Sequence, residues 1–123
     1  MTGNDILKIS LDLMFETETE YTKNAVSFLN LMIPELFETE NLIRTAQKQE
    51  PLADVPYIES LEDVIPYCDN LTRGAMPYGL ASMIMMDDDD TSKAGYYKSL
   101  YVNAVNSFSR AAPEMVVDVY ESC

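Results

Sequence analysis

The chain has 123 residues, 47% of them apolar, and sets 21 acidic side chains against 8 basic ones for a formal charge of -13. That length and composition predict one globular domain, exclude disorder, and contain no apolar run near the ~20 residues that cross a bilayer. The charge disfavours sequence-independent binding to nucleic-acid phosphates and to anionic membranes. It leaves either a solubilising surface or complementarity to a basic protein partner. Histidine is absent, and the only cysteines are Cys68 and Cys123. The usual zinc ligand sets, Ser-His-Asp catalysis and Cys-His catalysis are thereby excluded. The opening MTGNDILKIS has no basic region and no apolar signal core, so export is not expected and two reduced thiols are.

Helical periodicity dominates from the start. Asn4 or Asp5 can cap a first helix that buries Ile6, Ile9 and Leu13 on one face and Leu7, Leu11 and Met14 beside it, ending near Phe15. A polar connection follows. A longer second helix is predicted over Glu20 to Gln49, with Ala25, Leu29, Met32 and Leu36 at four-three-four spacing. Pro34 falls inside that pattern. No glycine or turn cluster precedes it, which favours a kinked single helix over two helices. Glu35, Glu38 and Glu40 are read as its outer side.

Pro51, Pro56 and Pro66 break helix propagation between Glu50 and Asp69. An irregular, surface-running segment with at most a brief strand is expected there. A third helix, capped by Asp69 or Asn70, is predicted over Asn70 to Met86. Its apolar groups fall on every side, which belongs at the centre of a bundle. Gly79 and Ala81 admit close approach of a neighbouring helix. A fourth helix, capped by Thr91 or Ser92, repeats Ala94, Tyr97, Tyr101, Ala104 and Phe108 and stops at Pro113. The tail after it alternates Val117 and Val119 with Asp118 and Tyr120, a weak strand signal. The predicted fold is therefore all-α: a small four-helix bundle over 1–112, an irregular arm at about 50–69, and a C-terminal arm at 113–123.

Candidate chemistry is sparse. Asp87, Asp88, Asp89 and Asp90 lie before the fourth helix, where its dipole favours negative charge. They lack the central glycine and final glutamate of a calcium loop, so no metal is expected. Glu16, Glu18 and Glu20 sit in a polar connector with no apolar pocket to raise a carboxyl pKa. Four scattered glycines form no phosphate-cradling loop. The eight methionines suit irregular core gaps. Tyr57, Tyr67, Tyr96 and Tyr120 fall outside the helical stripes, as interface tyrosines do. Neither catalysis nor a cofactor is expected.

The stretch LEDVIPYCDNLTRGAMPYGLASMIMMDDDDTSKAGYYKSLY, Leu61 to Tyr101, resembles a family of small structural proteins of tailed bacteriophages related to head–tail connector adaptors. The likeness rests on Ile65-Pro66 after an acidic stretch, a capped helix, Met76-Pro77-Tyr78-Gly79-Leu80-Ala81, an acidic turn, and a helix bearing Tyr97 and Tyr101. ILKISLDLM and NAVSFLNLMIPEL match that family's first two helices in style. Met76 stands where leucine is usual, and the tail after Pro113 has no counterpart. The resemblance implies a virion neck protein, made in the bacterial host's cytoplasm, with no enzymatic role. It implies self-association into a ring, typically of twelve copies, beneath the portal protein. The ring would also meet the next neck or tail protein, and DNA would slide through without specific binding. Pro77, Tyr78, Gly79, Leu80, Ala81, Tyr97, Tyr101 and Phe108 are then expected in the helical core. Tyr57, Ile58, Leu61, Ile65, Tyr67, Met115, Val117, Val119 and Tyr120 are expected to contact partners or neighbouring subunits. The alternative reading is an acidic helical module or inhibitor that occupies a basic protein.

Overall fold

The computed structural model describes residues 1–14 and 22–111. Helix α1 spans Gly3–Leu13, α2 Thr22–Ala46, α3 Asp69–Thr72, α4 Met76–Asp87 and α5 Thr91–Ala111. No strand occurs among the described residues; one antiparallel bridge joins Thr2 and Val64. The fold is all-α, as the periodicity predicts, with four longer helices and the single turn α3. Helix α4 is the hub, packing most extensively on α5 and next on α1.

The start of α1 is set by Thr2 rather than by Asn4 or Asp5. The Thr2 hydroxyl accepts the Asp5 N–H at 3.2 Å, and the Asp5 carboxylate accepts the Thr2 N–H at 3.1 Å. Asp5 is thus the reciprocal partner of a capping box, which a threonine three residues before an acid can form. These bonds hold its carboxyl below the usual range.

Pro34 lies inside one continuous α2, so the single-helix reading stands. Ala25, Leu29, Met32, Ile33, Leu36 and Ile43 of α2 are buried. Glu35 and Glu38 are exposed as expected, but Glu40 is only 1% exposed.

The predicted third helix is broken. Its first turn, α3, is capped by the Cys68 backbone rather than by an Asp69 or Asn70 side chain. A turn at Arg73 to Ala75 then intervenes before α4 begins with Pro77 in its first turn. Proline has no N–H to offer, which costs nothing where a helix starts and about 3 kcal/mol inside one. Splitting the helix therefore relieves Pro77. The Phe108 ring closes on Gly74, where an added Cβ would meet it at 3.1 Å.

The prediction for α4 itself holds: Met76, Pro77, Gly79, Leu80, Ala81, Ser82, Ile84 and Met85 are buried. The turn to α5 is capped by Asp90, not by Thr91 or Ser92. Its carboxylate accepts the Lys93 N–H at 3.1 Å and its carbonyl the Ala94 N–H at 2.9 Å. Asp89 takes the left-handed conformation, φ 62°, that turns the chain between the helices, one that aspartate tolerates better than most residues.

Candidate functional site

Six residues of the resemblance, Met76 to Ala81, form the contact point of three helices. A Cβ on Gly79 would strike the Met32 sulfur of α2 and come within 2.9 Å of the Tyr101 ring of α5. Leu80 and Ala81 are fully buried, and Tyr78 is half-buried. The Ser10 hydroxyl donates to the Pro77 carbonyl at 2.8 Å, tying α1 to the start of α4. Ser82 donates to the Ala94 carbonyl at 2.8 Å, tying α4 to α5. Tyr97 donates to the Leu13 carbonyl at the end of α1, and Tyr101 to a Glu35 carboxylate oxygen on α2, each at 3.1 Å. Phe108 packs against the core beside Gly74. All eight residues expected in the helical core are buried or packed against it.

The arm keeps the irregular, surface-running course expected of it, but not all its candidate contact residues face outward. Ile58, Ile65 and Tyr67, expected to face partners, are buried in their own chain. Leu61 is half-buried, its Cδ2 lying 3.0 Å from where a Cβ on Gly3 would be. Of the described partner candidates, only Tyr57 stands in the open, 73% exposed. Met115, Val117, Val119 and Tyr120 lie outside the described residues, as does the proposed C-terminal strand.

The arm is drawn inward by α2, whose polar side chains replace the hydrogen bonds of a sheet. Asn30 accepts the Ile58 N–H at 3.1 Å and donates to the Ile58 carbonyl at 2.8 Å. Asn41, three turns on, does the same to Leu52 at 2.8 and 3.3 Å. An asparagine side chain carries the same donor and acceptor as a peptide, so each pair satisfies both backbone groups of one residue.

Buried Glu40 and half-buried Arg44 complete the attachment. One Glu40 oxygen meets the Arg44 Nε at 2.5 Å, and the other accepts the Cys68 N–H at 2.9 Å. Arg44 also donates to the Pro66 carbonyl at 2.9 Å and to the Glu50 carbonyl at 3.3 Å. The Tyr67 hydroxyl donates to the Ile33 carbonyl at 2.5 Å, next to Pro34. At the N-terminus, Ile65 donates to the Met1 carbonyl at 2.9 Å and Asn4 to the Leu61 carbonyl at 2.9 Å. The i,i+4 spacing of Glu40 and Arg44 signals a pair but not its burial. The recurrence of asparagine at an eleven-residue interval on the flank of the apolar stripe is the signal for the arm.

Burial pushes the Tyr67 phenol well above its ordinary value, and the Glu40 charge adds to that. Burial does the same to Tyr101, followed by the Glu35 charge. Both phenols therefore stay protonated as donors at neutral pH. Asp63 goes the other way: it accepts the Glu59 and Ser60 N–H groups at 2.7 and 3.1 Å, and these bonds depress its carboxyl. No group of three His, Cys, Asp or Glu side chains among the described residues is arranged to hold a metal ion.

The aspartate run does not act as one cluster. Asp87 is the last residue of α4, Asp88 caps its end, Asp89 turns, and Asp90 alone caps α5.

Charge is divided sharply along the molecule. Helix α5 carries Lys93, Lys98 and Arg110 and not one of the 21 acidic residues. It is +3 while the rest of the chain sums to -16, since -16 + 3 gives the total of -13. Exposed large apolar residues lie on α2 (Leu31, Leu42), on the arm (Val55, Tyr57, Val64), at Met86, and on α5 (Tyr96, Val102). No described helix is long and apolar enough to cross a membrane. Comparison of the chain with known protein families, curated proteins and solved structures finds no match.

Proposed function

We propose that this chain is a non-catalytic assembly protein, a head–tail connector adaptor of the tailed-bacteriophage type that meets copies of itself, the portal and the next neck or tail protein. The observation that carries the reading is the use made of the Met76 to Ala81 stretch on which the resemblance rests. Gly79 is the close-approach point for Met32 and Tyr101, and the Pro77 carbonyl receives the Ser10 hydroxyl. The motif is spent on packing helices together, as a scaffold protein requires. The acid-rich surface fits a channel wall along which DNA passes, because repelled phosphates leave no counterions to release there. Its polar side chains hold an arm in place.

Electron microscopy of intact particles tests the reading. A ring of this chain at the portal exit is the expected result. Its recovery as a soluble protein in no particle, bound one-to-one to a basic protein, would replace this reading with that of an acidic binding module.

A further inference from the structure

We propose that the acid-free outer face of α5 docks on the exposed face of α2 in a second copy of this chain. The proposal deepens the assembly reading above, from which it borrows only that copies meet one another. A surface of net -13 resists self-contact, because most orientations bring carboxylates together. Helix α5 is the exception. Its outward positions are Gly95, Tyr96, Ser99, Val102 and Asn103, with Lys98 at their edge, and no acid interrupts them.

The outward face of α2 supplies the complement. Leu31, Glu35, Glu38 and Leu42 follow at i, i+4, i+7 and i+11, all exposed. Two carboxylates are thus flanked by two leucines about 16 Å apart, at ~1.5 Å of rise per residue. On α5, Val102 follows Lys98 at i+4 on the same side, about 6 Å along the axis, while exposed Tyr96 stands at the opposite edge of the outward arc. The α2 stripe is thus acidic and the α5 arc basic, each with exposed apolar side chains beside the charge.

The two stripes also share one side of the molecule. Lys98 Nζ lies 5.3 Å from the centre of the Tyr101 ring, whose hydroxyl donates to Glu35. Lys98 and Glu35 therefore line one seam between α5 and α2. A face carrying complementary stripes side by side pairs with its own copy about a two-fold axis, making each contact twice; the pair is then the unit, and a ring joins such pairs through a further contact. Burying the four flanking apolar side chains supplies attraction, and the charges fix the register.

Charge reversal in the full chain tests the pairing, with association followed by sedimentation. Glu38 is exposed, so Glu38→Lys is expected to leave the melting temperature unchanged, whereas Lys98→Glu loses the Tyr101 ring contact and should lower it slightly while the chain stays folded. Each alone should weaken association by roughly tenfold or more, because like charges then face each other twice. Mixing the two variants restores opposite charges at both contacts and should restore association, as should the double variant. Val102→Asp should weaken it without rescue by either. A wild-type chain still monomeric at roughly 100 µM, which sets the Kd of any pairing above that concentration, overturns the proposal. So does association that ignores both reversals, or a mixture that stays apart. A ring seen in particles whose formation is indifferent to the reversals would overturn this contact while leaving the assembly reading in place.

Discussion

Helix α4 and the arm from Glu50 to Cys68 both contribute fully buried residues, but they are held there by different forces. Helix α4 satisfies most of its own backbone and offers the core apolar groups on nearly every side, so packing holds it, with the Ser10 and Ser82 hydroxyls as ties to α1 and α5. The arm has no ladder of its own. Its prolines forbid one, and its backbone groups are satisfied by Asn30, Asn41, Glu40, Arg44 and the N-terminal residues. The first region tolerates apolar substitution of matched volume; the second depends on particular polar atoms. An irregular segment that runs along the surface can therefore still bury single side chains as deeply as a helix does, provided a neighbouring helix lends it donors and acceptors.

The harshest way to break the packed region is to place a charge in it. Leu80 is fully buried in the apolar core, so Leu80→Asp should cost several kcal/mol. Circular dichroism at 25 °C is expected to show loss of helix. A folded variant would mean that Leu80 is reached by water.

The arm has its own point of failure in Glu40. Glu40→Ala leaves the Cys68 N–H and the Arg44 guanidinium without their carboxylate and should cost about 2–4 kcal/mol, less than a fully buried pair because Arg44 is partly open to water. Glu40→Gln keeps an acceptor for Cys68 and should recover part of that in denaturant titration. Equal losses for the two would assign the whole effect to the charge.

Smaller effects sharpen the contrast between the two asparagines. Asn30→Ala and Asn41→Ala each orphan two backbone groups, at about 1–3 kcal/mol. Asn30→Ala is expected to be the worse, because Ile58 is fully buried and Leu52 only partly so. A reversed order in thermal melts would show that the arm is anchored at its start.

The smallest effect appears only in alkali. Burial raises the Tyr101 phenol above 10.0, with the Glu35 charge adding to it. A folded pKa above the unfolded one gives stabilisation that is whole below pH 10 and is lost as the pH climbs further, when the unfolded chain ionises and the folded one does not. Tyr101→Phe should flatten that alkaline loss in melts taken between pH 9 and pH 11, a range bracketing the ordinary tyrosine value of ~10. An unchanged slope would place the phenol in water.

Much of the fold was legible because periodicity reports burial directly. The stripes Ala25-Leu29-Met32-Leu36 and Ala94-Tyr97-Tyr101 are simple one-face patterns, and α4's all-round apolar character pointed to the centre. The N-caps were misread by a residue or more, since several Thr, Asn and Asp stand at each boundary and only geometry selects among them. The break at Arg73 to Ala75 escaped although Gly74, a poor helix former, stands at its centre, because the apolar pattern runs through it without interruption.

The arm runs irregularly along the surface as its prolines predict, but its inward side chains Ile58, Ile65 and Tyr67 escaped for a deeper reason. Prolines announce irregular backbone, and irregular backbone is usually at the surface because its polar groups need water. Here Asn30, Asn41 and Arg44 stand in for water, and they lie up to 28 residues away in sequence. Glu40 was placed on the outer side with Glu35 and Glu38 for the same reason: its partners, Cys68 and the arm, are distant in the chain. Of the candidate surface, Tyr57 and Tyr96 were found from their position outside the stripes, whereas Leu31 and Leu42 were hidden within an apolar helix.

Native-state hydrogen exchange at the Ile58 amide tests most directly whether side chains of α2 make the arm part of the core. Its N–H donates only to the Asn30 side chain in a segment with no helix or ladder. Protection matching that of buried α4 amides, and lost in Asn30→Ala while α4 stays protected, is the expected result. Exchange at the rate of an open loop in the wild-type chain would contradict it.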